Sequence, residues 1–149
     1  MFLGEYRHSI DNKDRLTIPA RYRELLDEGA FILRGFDRNL MVLTSKAFDA
    51  ITNRINQMSV TDPLARSLRR LIIGSASRVE IDKAGRILIP DFLCQKAGIS
   101  CEKDVVLVGQ GNYFEVWSSD EWVLQQQALD EAEANTERFK VLELSTNSG

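Results

Sequence analysis

The sequence predicts an α+β fold built from two copies of one β-rich unit, and three observations carry that expectation. Asp11-Asn-Lys-Asp-Arg15-Leu-Thr-Ile18-Pro19 is written again as Asp82-Lys-Ala-Gly-Arg86-Ile-Leu-Ile89-Pro90, so both copies read Asp-x-x-x-Arg, one apolar residue, one further residue, then Ile-Pro. The match continues outside the motif, with Ile10 against Ile81 and, after an insertion, Gly35, Val42 and Phe48 against Gly109, Val116 and Trp122. Short stretches alternating at period two are interleaved with stretches whose apolar residues recur at three and four, the marks of strands and helices respectively. A duplication of this kind sets the architecture before any local reading.

At 149 residues, 44% apolar and 28% charged, the chain has the composition of an ordinary globular protein. Half of it, about 70 residues, is marginal as an independent unit, so the copies are expected to share a core. The expected organisation is a first repeat over 5–58, a connecting helix over 59–75, a second repeat over 76–122, and an acidic C-terminal helix and tail over 123–149. Cys94, Cys101 and the single His8 have no metal-ligand spacing, so reduced thiols and no cofactor are expected. No apolar run reaches the length of a membrane span, and Met1-Phe-Leu-Gly-Glu5 lacks the basic-then-apolar order of a secretory signal, which points to the cytoplasm.

Each element has its own signal. Glu5 to Ile10 alternates with Tyr6, His8 and Ile10 on one face; Asp11 to Asp14 suits a turn; Arg15 to Ile18 alternates again with Leu16 and Ile18 inward, and the whole reads as a hairpin. Pro19 fits the first position of a short helix, Ala20 to Leu26, carrying Arg21 and Arg23 and stopped by Gly29. Phe31 to Leu33 and Leu40 to Leu43 are strand candidates, and Ser45 caps a helix bearing Phe48, Ile51 and Ile55. Asp62-Pro63 is an N-cap followed by proline, opening a helix with Leu64, Leu68, Leu71 and Ile72 on one face. In the second copy Arg78 to Ile81 and Arg86 to Ile89 flank a turn in which Gly85 accepts positive φ, and Pro90 opens a helix that Gly98 ends. Val105 to Val108 lacks polar alternation and reads as a strand covered on both faces, returning through Tyr113 to Trp117. Ser118 and Glu121 form a capping box for one last helix with Trp122, Leu129, Ala132 and Ala134, fading into a tail whose final residues are expected to be disordered.

The formal net charge is −3, yet residues 119–149 hold seven acids against two bases, which leaves the first 118 residues at +2. Within that body Arg7, Lys13, Arg15, Arg21 and Arg23 crowd the first motif, and phosphate binding depends on such a face and not on the total. Composition alone favours a solvated surface whose Arg and Asp pair with each other. No Ser/His/Asp or Cys/His set, phosphate-cradling glycine pattern or carboxylate cluster is present, so no enzyme is expected. An Arg whose rotamer is limited by an Asp four residues earlier is a preorganised guanidinium, suited to phosphate oxygens or the N7/O6 edge of guanine. The same pair also serves simply to tie each turn together.

The repeated motif, the Arg69-Arg-Leu-Ile-Ile-Gly-Ser-Ala76 junction, Val106-Leu-Val-Gly109 and Phe114-Glu-Val-Trp117 resemble the MraZ family of bacterial transcriptional regulators, in the AbrB-like superfamily, over residues 1 to about 125. The resemblance implies a swapped-hairpin β-barrel in which the repeats form a pseudo-dimer, assembled into a ring. It further implies a nucleoid-associated, sequence-specific repressor of its own division and cell wall gene cluster, bound to short direct repeats of double-stranded DNA in the promoter. Carried to this sequence, the DNA contacts are Asp11, Arg15, Asp82 and Arg86, with Lys13 and Lys83 in the same loops. Two positions depart from the pattern: Asp14 replaces the usual Gly before the motif Arg, and Cys94 stands where a basic residue is expected. A ring answers the acidic balance, because several weak basic faces on spaced DNA repeats gain avidity. The rival readings are an antitoxin or protein-partner module, as in other AbrB-like barrels, and a self-cleaving enzyme suggested only by Gly74-Ser75.

Overall fold

A computed structural model describes residues 1–144. In chain order the elements are β1 (Glu5–Ser9), β2 (Arg15–Thr17), α1 (Ala20–Leu25), β3 (Ala30–Arg34), β4 (Leu40–Thr44), α2 (Ser45–Asn56), α3 (Pro63–Ile72), β5 (Ser77–Val79), β6 (Arg86–Leu88), α4 (Asp91–Ala97), β7 (Asp104–Gly109), β8 (Tyr113–Ser118), α5 (Ser119–Leu129), α6 (Ala132–Phe139) and a 3-10 turn (Lys140–Leu142). The predicted α+β class is what the chain adopts. Six strands form one antiparallel sheet in the order β1-β7-β8-β4-β3-β5, and β2 and β6 form a separate two-stranded ribbon.

The pairing is exchanged between the copies. β1 lies on β7, β5 on β3, β2 on β6, and β4 meets β8 at the centre; only β3–β4 and β7–β8 pair within a copy. This corrects the hairpin expected over Glu5 to Ile18. β1 and β2 are joined by a tight turn, closed by Asp11 N–H donating to Arg15 O at 3.1 Å, but beyond it they share only the Ile10–Leu16 bridge. Nor do the described strands close into a barrel: the sheet ends at β1 and β5 and the ribbon stands apart. The ribbon is short because Pro19 and Pro90 lack the N–H a longer ladder needs. Its last bonds are Ile18 N–H to Gly85 O and Ile89 N–H to Asp14 O, both 2.9 Å.

The exchange buries one core. Leu16 and Ile87 face each other across the ribbon, fully buried, and with Ile18, Ile89, Tyr22, Leu93 and Cys94 they pack onto Ile32, Val42, Leu107 and Val116 of the sheet. Tyr22 sits at the end of this layer, its ring edge-on to Phe2 at 5.0 Å and its hydroxyl donating to Leu3 O at 2.9 Å. Burial pushes that hydroxyl's pKa up to about 12. On the opposite face α2 and α3 cover Leu33, Met41 and Leu43, while Trp122 of α5 packs with Trp117, Val106 and Val108. Val105 to Val108 is thus covered on both sides, as its unbroken apolar run predicts.

Several local expectations are corrected. Thr44, not Ser45, caps α2 by accepting from Ala47 N–H at 3.1 Å, and Pro19 and Pro90 stand at the N-cap, one residue before the helices they open. α1 ends at Leu25 with Leu26 as its C-cap, ahead of Gly29. Asp62 caps α3 as expected, but Leu64 is exposed while Ala65 and Ile72 are the residues of α3 that are buried. Ser118 accepts from Glu121 N–H at 3.2 Å, whereas the Glu121 carboxylate turns away to Arg38, also at 3.2 Å, so the capping box is only half made. The single last helix is two: the chain breaks at Asp130, and Asn135 Nδ2 donates to Leu129 O at 2.7 Å across the break. Nothing in α6 is buried, so no packing enforces one continuous axis. The expected disorder of the final residues falls at 145–149, outside the described residues.

Cys94 is buried and Cys101 exposed. Burial, with the charges of Asp14 and Asp91, pushes the Cys94 thiol up to about 12, and the thiolate is the reactive form. Iodoacetamide at pH 8 is therefore expected to add one label to the folded chain, at Cys101, and two after unfolding, read by intact mass.

Candidate nucleic-acid interface

Each Asp-x-x-x-Arg motif closes into the same hook. In the first, Asp11 Oδ1 accepts from the N–H of Lys13 and of Arg15, both at 2.9 Å, while Oδ2 accepts from Arg15 Nε at 2.7 Å. In the second, Asp82 Oδ1 accepts from Ala84 N–H and Arg86 N–H, and Oδ2 from Arg86 Nε, all at 2.9 Å. One carboxylate thus orders the turn and one guanidinium edge together, and no hydrogen bond from the described residues engages the terminal nitrogens of either Arg. The turn residue before Arg needs positive φ, 58° at Asp14 and 79° at Gly85. Glycine meets that without penalty, and Asp is among the residues that tolerate it.

Strand exchange brings the two hooks together. Arg15 pairs with Leu88 and Thr17 with Arg86 across the ribbon, so with Leu16 and Ile87 inward the outer face carries Arg15, Thr17, Arg86 and Leu88. Arg86 Nη1 lies 4.0 Å from Asp11 Oδ2, which links one hook to the other. Both arginine side chains remain 30% exposed. Lys13 and Lys83 stand exposed in the two turns, and Arg21 is exposed on α1. Arg23 instead lies over the second turn: a Cβ on Gly85 would collide with its guanidinium, and its Nε is buried without a partner. Arg7 is on the face of β1 opposite Tyr6, which packs into the core beneath the ribbon, so the structure does not bring it to the hooks. Leu88 and Thr17 are the residues that the sequence reading passed over. Period-two alternation marked them as outward, but their meeting with the arginines depends on pairing between the copies.

The carboxyls of the hooks are held below the ordinary aspartate range. At Asp11 burial acts upward, but the N–H groups of Arg15 and Lys13 and the Arg15 guanidinium outweigh it. At Asp82 the Arg86 N–H dominates, against burial and helped by the guanidinium and the Ala84 N–H. A lowered folded-state pKa means that the ordering these groups supply is complete above the unfolded value of 3.8 and lost as pH falls through the lower folded values. Amide resonances of Lys13, Arg15, Ala84 and Arg86 are expected to hold steady from pH 7 to 5 and to move only in that acid window; Asp82→Asn should move the second set at neutral pH.

The remaining sequence candidates are accounted for structurally. Ser75 is buried, donates to Leu71 O at 2.6 Å and accepts from Arg34 N–H at 3.0 Å, so Gly74-Ser75 is a junction between α3 and β5. Arg69 donates to Ile55 O at 3.1 Å and Met58 O at 2.7 Å, tying α3 to the end of α2. No cluster of three or more metal-ligating side chains occurs among the described residues, and none of their helices is long and apolar enough to cross a membrane.

A family model described as "MraZ protein, putative antitoxin-like" matches the chain twice, over residues 1–71 and 72–142. The chain belongs to the MraZ family. Among its MraZ relatives, a protein of Herpetosiphon aurantiacus is 44% identical over 138 residues, 92% of this chain and 95% of the relative. One of Dictyoglomus thermophilum is 43% identical over 122 residues, 82% of each chain, and one of Ligilactobacillus salivarius is 40% identical over 135 residues, 91% of each. All three bear the name transcriptional regulator MraZ, which is not the name of an enzyme. The two MraZ matches divide the chain at residue 72, between the motif copies.

Proposed function

We propose that the protein is a cytoplasmic, nucleoid-associated transcriptional regulator that binds double-stranded DNA sequence-specifically through the β2–β6 ribbon. The observation that carries this reading is the placement of both preorganised guanidiniums on the outer face of one short ribbon. A two-stranded ribbon fits the major groove, where Arg donates to guanine O6 and N7 and an apolar side chain meets the thymine methyl. Arg15 and Arg86 take the first role and Leu88, 60% exposed, the second. Lys13, Lys83 and Arg21 contact phosphate. Asp11 and Asp82 position the arginines and do not themselves face DNA productively, since a carboxylate beside phosphate is repelled.

In this reading the protein represses its own division and cell wall gene cluster, as a ring whose protomers engage short direct repeats together. The relatives' name supports regulation of transcription. Multivalency supplies the affinity that an acidic chain with one small basic face lacks. The test is titration of the folded protein against DNA from upstream of its own gene and against scrambled DNA, over a series of salt concentrations. Preference for the promoter with a steep salt slope supports the reading. Equal or absent binding by the folded oligomer overturns it and favours a protein partner.

A further inference from the structure

We propose that the C-terminal arm formed by α6 and the 3-10 turn docks into a groove beside α2 on a second copy of the chain, as a head-to-tail contact. The arm is unpartnered where it stands. No residue of α6 or of the turn is buried, and Phe139, Val141, Leu142 and Leu144 are exposed, the last three more than 70%. Among the described residues its side-chain hydrogen bonds all run to residues at or beyond Leu129, and its only aromatic contact is Arg138 over Phe139 at 4.8 Å. Four large apolar side chains on one short arm are a contact surface, not the scattered exposure of an ordinary surface.

The groove is complementary to the arm in polarity and charge. It holds about 880 Å³ between α2, the β8 end and the N-terminal residues, walled by Met1, Leu25, Ala50, Ile51 and Tyr113, with Lys46 and Arg54 as its only charged lining. From Asp130 to Leu144 the arm carries five acids against two bases. An apolar arm with an acidic balance therefore meets an apolar groove with basic walls. The arm hangs from α5, which packs on β7 and β8 through Trp122, and no described residue of the arm lines the groove of its own chain, so the two surfaces are available to meet between copies. Because arm and groove are different surfaces, the contact is heterologous and propagates from copy to copy until rotation closes it. The inference rests on the ring reading for the existence of an assembly, and names the surfaces that build it.

The experiment uses full-length chains and light scattering after size exclusion. Val141→Ser with Leu142→Ser disables the arm; Ala50→Glu, at an exposed helix position, disables the groove. Each variant alone is expected to run as a single chain of 16.9 kDa, with unchanged far-ultraviolet circular dichroism. An equimolar mixture of the two is expected to form pairs and nothing larger, since it holds only one working contact per two chains. Lys46→Glu with Arg54→Glu should weaken assembly, and Glu137→Lys with Glu143→Lys in the same chain should restore it. Variants that keep the parent's mass overturn the assignment of surfaces while leaving the ring reading standing. A parent that is itself a single chain overturns both. Assembly lost only on removal of a co-purifying different protein overturns the second-copy occupant.

Discussion

Arg15→Ala combined with Arg86→Ala is expected to abolish promoter recognition without altering the fold. Each bidentate arginine–guanine contact discriminates by about 1–3 kcal/mol, so losing two per protomer lowers specific affinity by at least about 30-fold, compounded over the protomers engaged. The fold is expected to stay intact for a geometric reason. Both guanidiniums lie on the outer side of the ribbon, while Leu16 and Ile87 hold its inner side. The remaining electrostatic attraction acts equally on any sequence, so the variant's affinity for promoter and scrambled DNA should converge, as read by fluorescence anisotropy. Lysine at the same positions should recover part of the affinity but little of the preference, because an ammonium cannot make the forked contact. Collapse of the oligomer or of thermal stability in the double variant would instead assign the hooks to structure alone.

The second large effect concerns the two halves of the chain. Residues 1–73 and 77–149, made separately, are each expected to lack a folded monomer, because each of the four strands in either half would lose a partner and the face that the ribbon covers would be exposed. Leu16 without Ile87 alone removes an apolar contact of the kind whose deletion costs about 2–5 kcal/mol, against a total stability of about 5–15. Mixing the two fragments is expected to regenerate dispersed amide resonances at a 1:1 ratio. A folded, monomeric half in solution would show that the copies are independent units.

Much of the site was readable from the chain, because the signals involved are local. The Asp11 and Asp82 hooks close over four residues, positive φ at Gly85 belongs to its own turn, and inward Leu16 and Ile18 follow from alternation. What the local pattern does not supply is the choice of partners, which only the resemblance to a swapped-hairpin fold implied. Nothing in Arg15 to Thr17 distinguishes pairing with β1 from pairing with β6, since either buries Leu16, and the decision is made by the shared core. The placement of Arg23 over Gly85, the diversion of Glu121 to Arg38 and the separation of Arg7 from the hooks all depend on that choice. The break at Asp130 escaped for the opposite reason: helix propensity continues through Ala132 and Ala134, but no buried neighbour holds the axis straight.

Strand exchange also fixes when the protein can mature on the ribosome. β1 is the first strand synthesised, yet the strand it pairs with, β7, begins about a hundred residues later. At ordinary elongation rates of 5–20 residues per second, β1 waits roughly 5–20 s with both edges unpaired. β2 waits almost as long for β6, with Leu16 uncovered. Until the second copy emerges, only the β3–β4 pair with α2 against it can form. The nascent first half is therefore a sticky, incomplete sheet, and two neighbouring chains on one polysome are at their greatest risk of pairing with each other in that interval.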